Sequence, residues 1–376
     1  MKVRLGDVAT YINGYAFKPE DWSDSGLPII RIQDLTGNSY KTNRFSGKYD
    51  KKFEVNDGDI LISWSASIGV YVWRGEKAVL NQHIFKVKFD KQVNICKKFF
   101  IYQVENILKK AILETHGATM KHLTKPVFDS LPFYLPDIKK QNEISAILDK
   151  ISEIISLRQR QLKKLDELVK SRFIEMFGTL NNPKYKFKKD ILKNLCVKIT
   201  DGKHGGCTFV SGTGRYFIGA KEIYNGIVHY ESAPEIDIRE FEKDYKRCNV
   251  EKGDLLIVNT GATIGKSAIA VHEKTKYTLL QKSVALIKTK PDILNSIFLM
   301  YCYKINTSMY MVSGASAQAN LLLSKINNIE IYVPNISLQN QFADFVKQTD
   351  KSKLEIQKSL DKLEILKKSL MQKYFG

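Results

Sequence analysis

Two stretches of the chain, residues 141–178 and 339–376, run from Gln-Asn to Phe-Gly without a gap, at a constant offset of 198 (339 − 141). In the first, Ile144, Leu148, Ile151, Ile155, Leu162, Leu165 and Val169 follow alternating four- and three-residue steps, with Arg158 in the one polar slot. That spacing predicts a coiled-coil seam rather than the broader stripe of an ordinary amphipathic helix. The second stretch keeps Phe342, Val346, Thr349, Ile356, Leu360 and Leu363 in the same places, with Lys353 as its weak point. Leu162, Lys164, Leu165, Leu168, Lys170, Ser171, Phe177 and Gly178 recur as Leu360, Lys362, Leu363, Leu366, Lys368, Ser369, Phe375 and Gly376. Neither stretch contains an internal Gly or Pro, so each predicts one helix of roughly 57 Å at about 1.5 Å per residue. A helix that long needs a partner, and each copy is the obvious partner for the other.

Ahead of each predicted helix the pattern is mixed, with more strand than helix. Residues 3–11 give an apolar turn ending at the turn signal Asn13-Gly14, and residues 27–32 (LPIIRI) a short strand. Residues 54–63 place a D-G-D turn before an apolar run, and residues 65–73 follow as its hairpin partner. Residues 78–89 alternate as one strand would, and residues 97–115 carry helical spacing through Phe100, Val104, Ile107, Leu108 and Ala111. Residues 117–123 (GATMKHL) break that helix. The same order returns later: 195–200 matches the opening, 216–220 (YFIGA) the first strand, and 250–269 the hairpin. On this alignment Gly58-Asp59 corresponds to Gly253-Asp254, Gly69 to Gly265, and Gln82 to Gln281. Residues 297–310 repeat the helix and 314–323 (GASAQANLLL) its break. The expected fold class is α+β, with two tandem mixed α/β heads at 1–138 and 179–335, followed by long helices at 139–178 and 336–376.

Charge narrows the partner. With 59 Lys and Arg against 40 Asp and Glu, the 376-residue chain carries +19 and has a pI near 9.4. Such a field suits a polyphosphate backbone, although solubility alone, a ribosome or a membrane surface are also compatible with it. Cys96, Cys196, Cys207, Cys248 and Cys302 are scattered, without C-x-x-C or a full set of zinc ligands, so reduced thiols and no metal site are expected. No run approaches the ~18 apolar residues of a membrane span and the N-terminus has no apolar leader, so a soluble cytoplasmic protein is expected.

Several segments carry candidate contact chemistry. Residues 261–267 (GATIGKS) imitate a phosphate loop but have three residues between the glycines rather than four, and sit between strands. They read better as a hairpin tip presenting Asn259, Thr260, Thr263 and Lys266 to phosphates or base edges. The corresponding SWSAS segment offers Ser63, Ser65 and Ser67, with Trp64 equally suited to core or contact. Residues 201–206 (DGKHGG) put Lys203 and His204 on a glycine-rich loop, either solvated or facing DNA. Arg31 and Gln33 lie beyond the first strand and align approximately with Lys221 and Glu222; Arg and Gln suit bidentate contacts to guanine and adenine. Arg31 could equally pair with Asp34. Gln82 and Gln281 complete the candidates.

Catalytic signatures are absent: no D/N-P-P-Y/F tetrapeptide, no glycine-rich cofactor loop between strand and helix, no P-D…E-x-K, H-E-x-x-H or G-x-S-x-G. A chain that is not an enzyme by itself is expected.

Taken together, the order of head, helix, head and helix, the V-x-x-G-D-(I/L)-L-I strands, the G-A-(T/S) segments ahead of L-P-x-x-x-P, and the Q-N helix starts resemble the specificity subunits of type I restriction–modification systems. The resemblance covers essentially the whole chain. It departs at the helix starts, where the family usually has Pro-Pro-Leu and Glu-Gln; here Pro136-Asp137 precedes Gln141-Asn142, and Pro334-Asn335 precedes Gln339-Asn340. The resemblance implies two target-recognition domains, each reading half of an asymmetric bipartite site on double-stranded DNA. It implies long helices that pair antiparallel as a spacer and dock two methyltransferase subunits, with two restriction–translocase subunits completing the nuclease. S-adenosylmethionine would belong to the methyltransferase, and ATP and Mg to the restriction partner, leaving no cofactor in this chain. The rival expectation is a structural coiled-coil adaptor binding RNA or an acidic protein; a stand-alone modification enzyme is a third.

Overall fold

The computed structural model describes residues 1–65, 67–114, 124–306, 309 and 321–376. Residues 117–123, and 314–320 of the matching segment, lie outside the described residues. The chain divides into two compact units, Met1–Leu157 with Ser359–Gly376, and Arg158–Lys358. The long helices are Ile138–Phe177 and Ile336–Phe375, so each unit holds one head and a part of each helix.

In the first head, strands Thr10–Asn13, Ile84–Lys88, Ile60–Ser63 and Gly69–Val72 form an antiparallel sheet in that order. The D-G turn aims the chain into its central strand. Gly58 takes φ 85°, a left-handed conformation that glycine adopts without a Cβ penalty, and the Asp59 carboxylate accepts the Asn56 N–H at 2.9 Å. Alternation then splits the side chains between two cores. Ile60 and Ile62 join Tyr11, Phe85 and Val87 beneath the helix Lys97–Glu114, through Phe99, Phe100, Val104 and Leu108. Leu61 and Ile84 face Ile30, Val55, Ala78 and Leu80 of a second sheet, in which Leu27–Ile30 runs parallel to Ala78–Leu80.

The second head repeats this plan. Strands Cys196–Asp201, Val284–Thr289, Leu255–Val258 and Ser267–Ile269 form the antiparallel sheet, and Tyr216–Ile218 runs parallel to Thr278–Leu280. Gly253 (φ 97°) and Asp254, accepting the Glu251 N–H at 2.8 Å, rebuild the turn. Leu255 and Ile257 face the helix Ser296–Ile305, while Leu256 and Val258 face Ile218 and Leu280. Two elements enlarge this head. One is the hairpin Ile223–Tyr224/Ile227–Val228. The other is the helix Ile238–Cys248, whose N-cap Asp237 accepts the N–H groups of Arg239 at 2.8 Å and Glu240 at 3.1 Å.

The helices pair antiparallel. In the first unit Ile144 and Leu148, near the start of one helix, share a core with Met371, near the end of the other. In the second unit Val169, Phe173 and Phe177 pack with Phe342 and Val346. Of the other seam candidates, Ile151, Ile356 and Leu360 are buried, whereas Ile155, Leu162, Leu165 and Leu363 are half-buried. Lys353, the polar residue in the seam, is answered by the Asp166 carboxylate of the opposite helix at 2.5 Å.

The repeated Gln of each helix start proves to be a buried latch. Gln141 donates to the carbonyls of Asn94 (3.0 Å) and Pro136 (2.9 Å), and its oxygen accepts the Cys96 N–H (2.8 Å). Gln339 makes the same set with Ile293 (2.9 Å), Pro334 (2.8 Å) and the Asn295 N–H (2.9 Å). Each side chain thereby fastens its long helix to the loop that opens the head's own helix.

Two sequence expectations change. Residues 78–89 are not one strand: the chain turns at Asn81–His83, with His83 at φ 70°, and continues in the other sheet. The alignment of the halves also shifts. Leu80 lies opposite Ile30 and Leu280 opposite Ile218, so Gln281 matches Asn81 and not Gln82. Gly69, paired with Ser63, matches Lys266 rather than Gly265, because Ser63 and Val258 hold the same place opposite Ile84 and Val284.

Candidate nucleic-acid interface

In each head, loops far apart in sequence meet at one edge through a common set of backbone hydrogen bonds. In the first head these are Gly14 N–H to Ile84 O, Tyr15 N–H to Leu80 O, Gln82 N–H to Tyr15 O, Asn81 N–H to Ile30 O and Trp64 N–H to His83 O. In the second they are Gly202 to Val284, Lys203 to Leu280, Lys282 to Lys203, Gln281 to Ile218 and Asn259 to Ser283. The crossing tolerates no side chain. A Cβ on Gly14 would stand 2.0 Å from the Asn81 carbonyl oxygen, and one on Gly202 2.1 Å from that of Leu280. Asn13-Gly14 and Asp201-Gly202 are therefore crossing points as well as turns.

This edge brings the loops carrying the predicted residues together and separates those residues into two groups. Gln33, Ser67, His204, Lys221 and Lys266 are exposed. Gln82, Thr260 and Thr263 are half-buried beside them. The others serve the fold. Ser63 is fully buried and donates to the Ser65 carbonyl at 3.0 Å, and Ser65 is itself buried, so neither offers a contact face. Asn259 is buried, with its backbone bridging Ser283 and Leu321. The Gln281 amide lies against Gly219, where a Cβ would meet its Oε1 at 2.4 Å. Arg31 is tied down: Nε stands 3.6 Å from the Asp34 carboxylate, and Nη2 donates to the Lys41 carbonyl at 3.0 Å. Its alignment moves too. Asp34 and Glu222 each accept the N–H three residues back, from Arg31 and Gly219, so Gln33 matches Lys221. Trp64 stacks on Phe85 at 5.7 Å and belongs mainly to the core.

Lys203 is also withdrawn. Its ammonium sits 2.7 Å from Asp244 and 3.1 Å from Glu240, with its side chain only 18% exposed. The hydrogen bond to Asp244 raises its pKa above the ordinary lysine value despite partial burial. A hydrogen bond from the Thr208 hydroxyl, reinforced by Lys203, holds the Glu240 carboxyl down to about 2. Asp201 binds both Arg247 and His204, the latter at 2.9 Å; burial works against its ionisation, yet these two bonds, Arg247's first, keep its pKa low. The loop 201–204 is thus an ion-pair network braced by the helix Ile238–Cys248. Among the described residues no cluster of His, Cys, Asp and Glu could hold a metal ion.

The model of the family described as type I restriction modification DNA specificity domain matches residues 1–167 and 182–366. The chain belongs to that family. The type I restriction enzyme EcoBI specificity subunit of Escherichia coli is 24% identical over 410 residues, spanning 100% of this chain and 85% of that protein. The MjaVIII specificity subunit of Methanocaldococcus jannaschii is 23% identical, spanning 98% and 90%. In fold, the chain is similar to the type I restriction–modification S subunit from M. genitalium, with a TM-score of 0.58 at 16% identity, covering 100% of this chain and 96% of that one. It is also similar to a chain from a structural study of type I system assembly and conformational transition, with a TM-score of 0.60 at 14% identity, covering 100% and 97%.

Family membership makes this chain a DNA sequence-specificity subunit of a type I restriction–modification system, with DNA and the other subunits of that system as partners. No helix among the described residues is long and apolar enough to cross a membrane. The crossing edge also carries two residues not singled out from the sequence. Lys282, exposed and bonded through its backbone to Lys203, lies one residue beyond Gln281. Tyr15 takes the place of Lys203 in the first head. Aligning N-G-Y with D-G-K would have found Tyr15.

Proposed function

We propose that each head reads one half of an asymmetric, bipartite site on double-stranded DNA, and that the helical segments set the spacing between the halves. The chain binds, spaces and orients. It contributes no catalysis of its own and needs no cofactor. Two methyltransferase subunits bring S-adenosylmethionine and flip the adenine, and two restriction–translocase subunits bring ATP and Mg. The observation that carries this reading is the doubled crossing edge. One backbone scheme is built twice, and different side chains stand on it in each head, as expected of two readers with different half-sites.

Long-read modification sequencing of DNA from cells expressing the chain with its methyltransferase tests the proposal, against a control lacking only this chain. The expected result is a new N6-methyladenine mark confined to one bipartite motif. A mark on a continuous or non-specific sequence, or none from expressed and assembled subunits, overturns it.

A further inference from the structure

We propose that Tyr15 is a specificity-determining residue that contacts a base pair in the half-site read by the first head. This rests on the bipartite reading above. The backbone around Tyr15 is fixed: its N–H donates to Leu80 O at 2.8 Å, its carbonyl accepts the Gln82 N–H at 2.8 Å, and Gly14 before it is pressed against Asn81. The ring is held as well, with centroids 4.9 Å from Phe17 and 5.7 Å from Phe53, while Phe17 leans on Phe45 at 5.0 Å. This aromatic group lies outside the two buried clusters of the head, and Tyr15 remains 43% exposed.

A large ring locked at its base, supported by other rings and open to solvent at the edge where the loops meet is already organised for contact. It loses little conformational freedom on binding. The same loops carry exposed Lys48 and Lys51, and two further exposed lysines in surface ion pairs, Lys18 with Glu20 at 3.8 Å and Lys52 with Asp50 at 3.0 Å, the latter ammonium also 4.9 Å from the Phe53 ring centroid. Cations around an aromatic face suit a duplex: lysines meet phosphates and set the register, while the ring meets a base edge or a thymine methyl. Lys203, on the same backbone position in the second head, is neutralised by two carboxylates and has no such role.

The test uses the full chain with its methyltransferase and modification sequencing as readout. Tyr15→Ala should lower methylation of the original motif on the order of 10-fold. It should also admit substitutions at one position of one half-site, leaving the other half-site and the spacer unchanged. Tyr15→Lys, which introduces the residue of the second head without its carboxylate partners, should change the preferred base at that same position. An unaltered motif at unaltered level in both variants overturns the inference. So does uniform loss across both half-sites that tracks a lowered unfolding temperature, which marks a structural residue. A wild-type chain giving no bipartite motif removes the underlying reading, and the role of Tyr15 with it.

Discussion

Asn13-Gly14-Tyr15 and Asp201-Gly202-Lys203 are the same turn in two heads, crossing the same neighbouring strands with the same backbone hydrogen bonds. Around the first, rings gather: Phe17, Phe45 and Phe53. Around the second, polar and charged groups gather: Asp201 with Arg247 and His204, and Lys203 with Glu240 and Asp244, mostly from the helix Ile238–Cys248. The backbone hydrogen bonds recur where the strands cross closely, and the side chains differ where a neighbouring element supplies different partners. A head can thus change what it presents without changing how it is built.

The largest test of this comparison lies in the helix ends that each head grips. Phe173 packs in the second unit on Phe177, Phe298, Tyr301 and Phe342, and the repeat puts Met371 at its place in the first unit. Phe173→Ala should cost about 3–5 kcal/mol of unfolding free energy, and Met371→Ala roughly 2–3, both read by urea denaturation. Equal losses would mean that the two grips are energetically alike despite their different residues.

Gly14→Ala and Gly202→Ala should each cost about 3 kcal/mol, because the new Cβ meets backbone that cannot withdraw. The two losses should be similar, and a silent change in either head would show that its crossing is not fixed. Gln141→Ala and Gln339→Ala come next. Each leaves a backbone N–H and two carbonyls without their partner, for about 1–3 kcal/mol by the same measurement.

A smaller effect separates the heads by pH. Glu240 is held down to about 2 in the folded state, so its bonds stabilise fully above the ordinary glutamate value near 4.5. That contribution is lost as pH falls from there through about 2. Glu240→Gln should flatten this acid dependence in the second unit only, as followed by amide exchange of the residues around Thr208 and Lys203. An unchanged acid limb would remove the ion-pair network from the account. The smallest effect is expected from Lys266→Ala at an exposed hairpin tip. If Lys266 meets a phosphate, the slope of log affinity against log salt should shrink by about 0.9, with the recognised motif kept. An unchanged slope takes Lys266 off the contact surface.

The sequence by itself determined the skeleton. Repeated spacing fixed the two long helices almost to the residue, since a four-three pattern in Ile144, Leu148 and Ile151 has one economical burial. The G-D turns declared the central strands, since Gly58 and Gly253 need left-handed φ and Asp59 and Asp254 close the turn locally. Only the tertiary structure decided what depends on neighbours distant in sequence. The break at Asn81–His83 was hidden because both flanking strands are apolar and their switch of sheet leaves the alternation intact. Ser63, Ser65 and Asn259 read as contacts because a polar residue near a hairpin tip looks exposed, whereas in the fold all three are buried. Lys203 read as an available cation because its carboxylate partners lie 37 and 41 residues away, on a helix brought back only by folding. Local patterns set local geometry; which polar groups meet solvent is set by the atoms that fold over them.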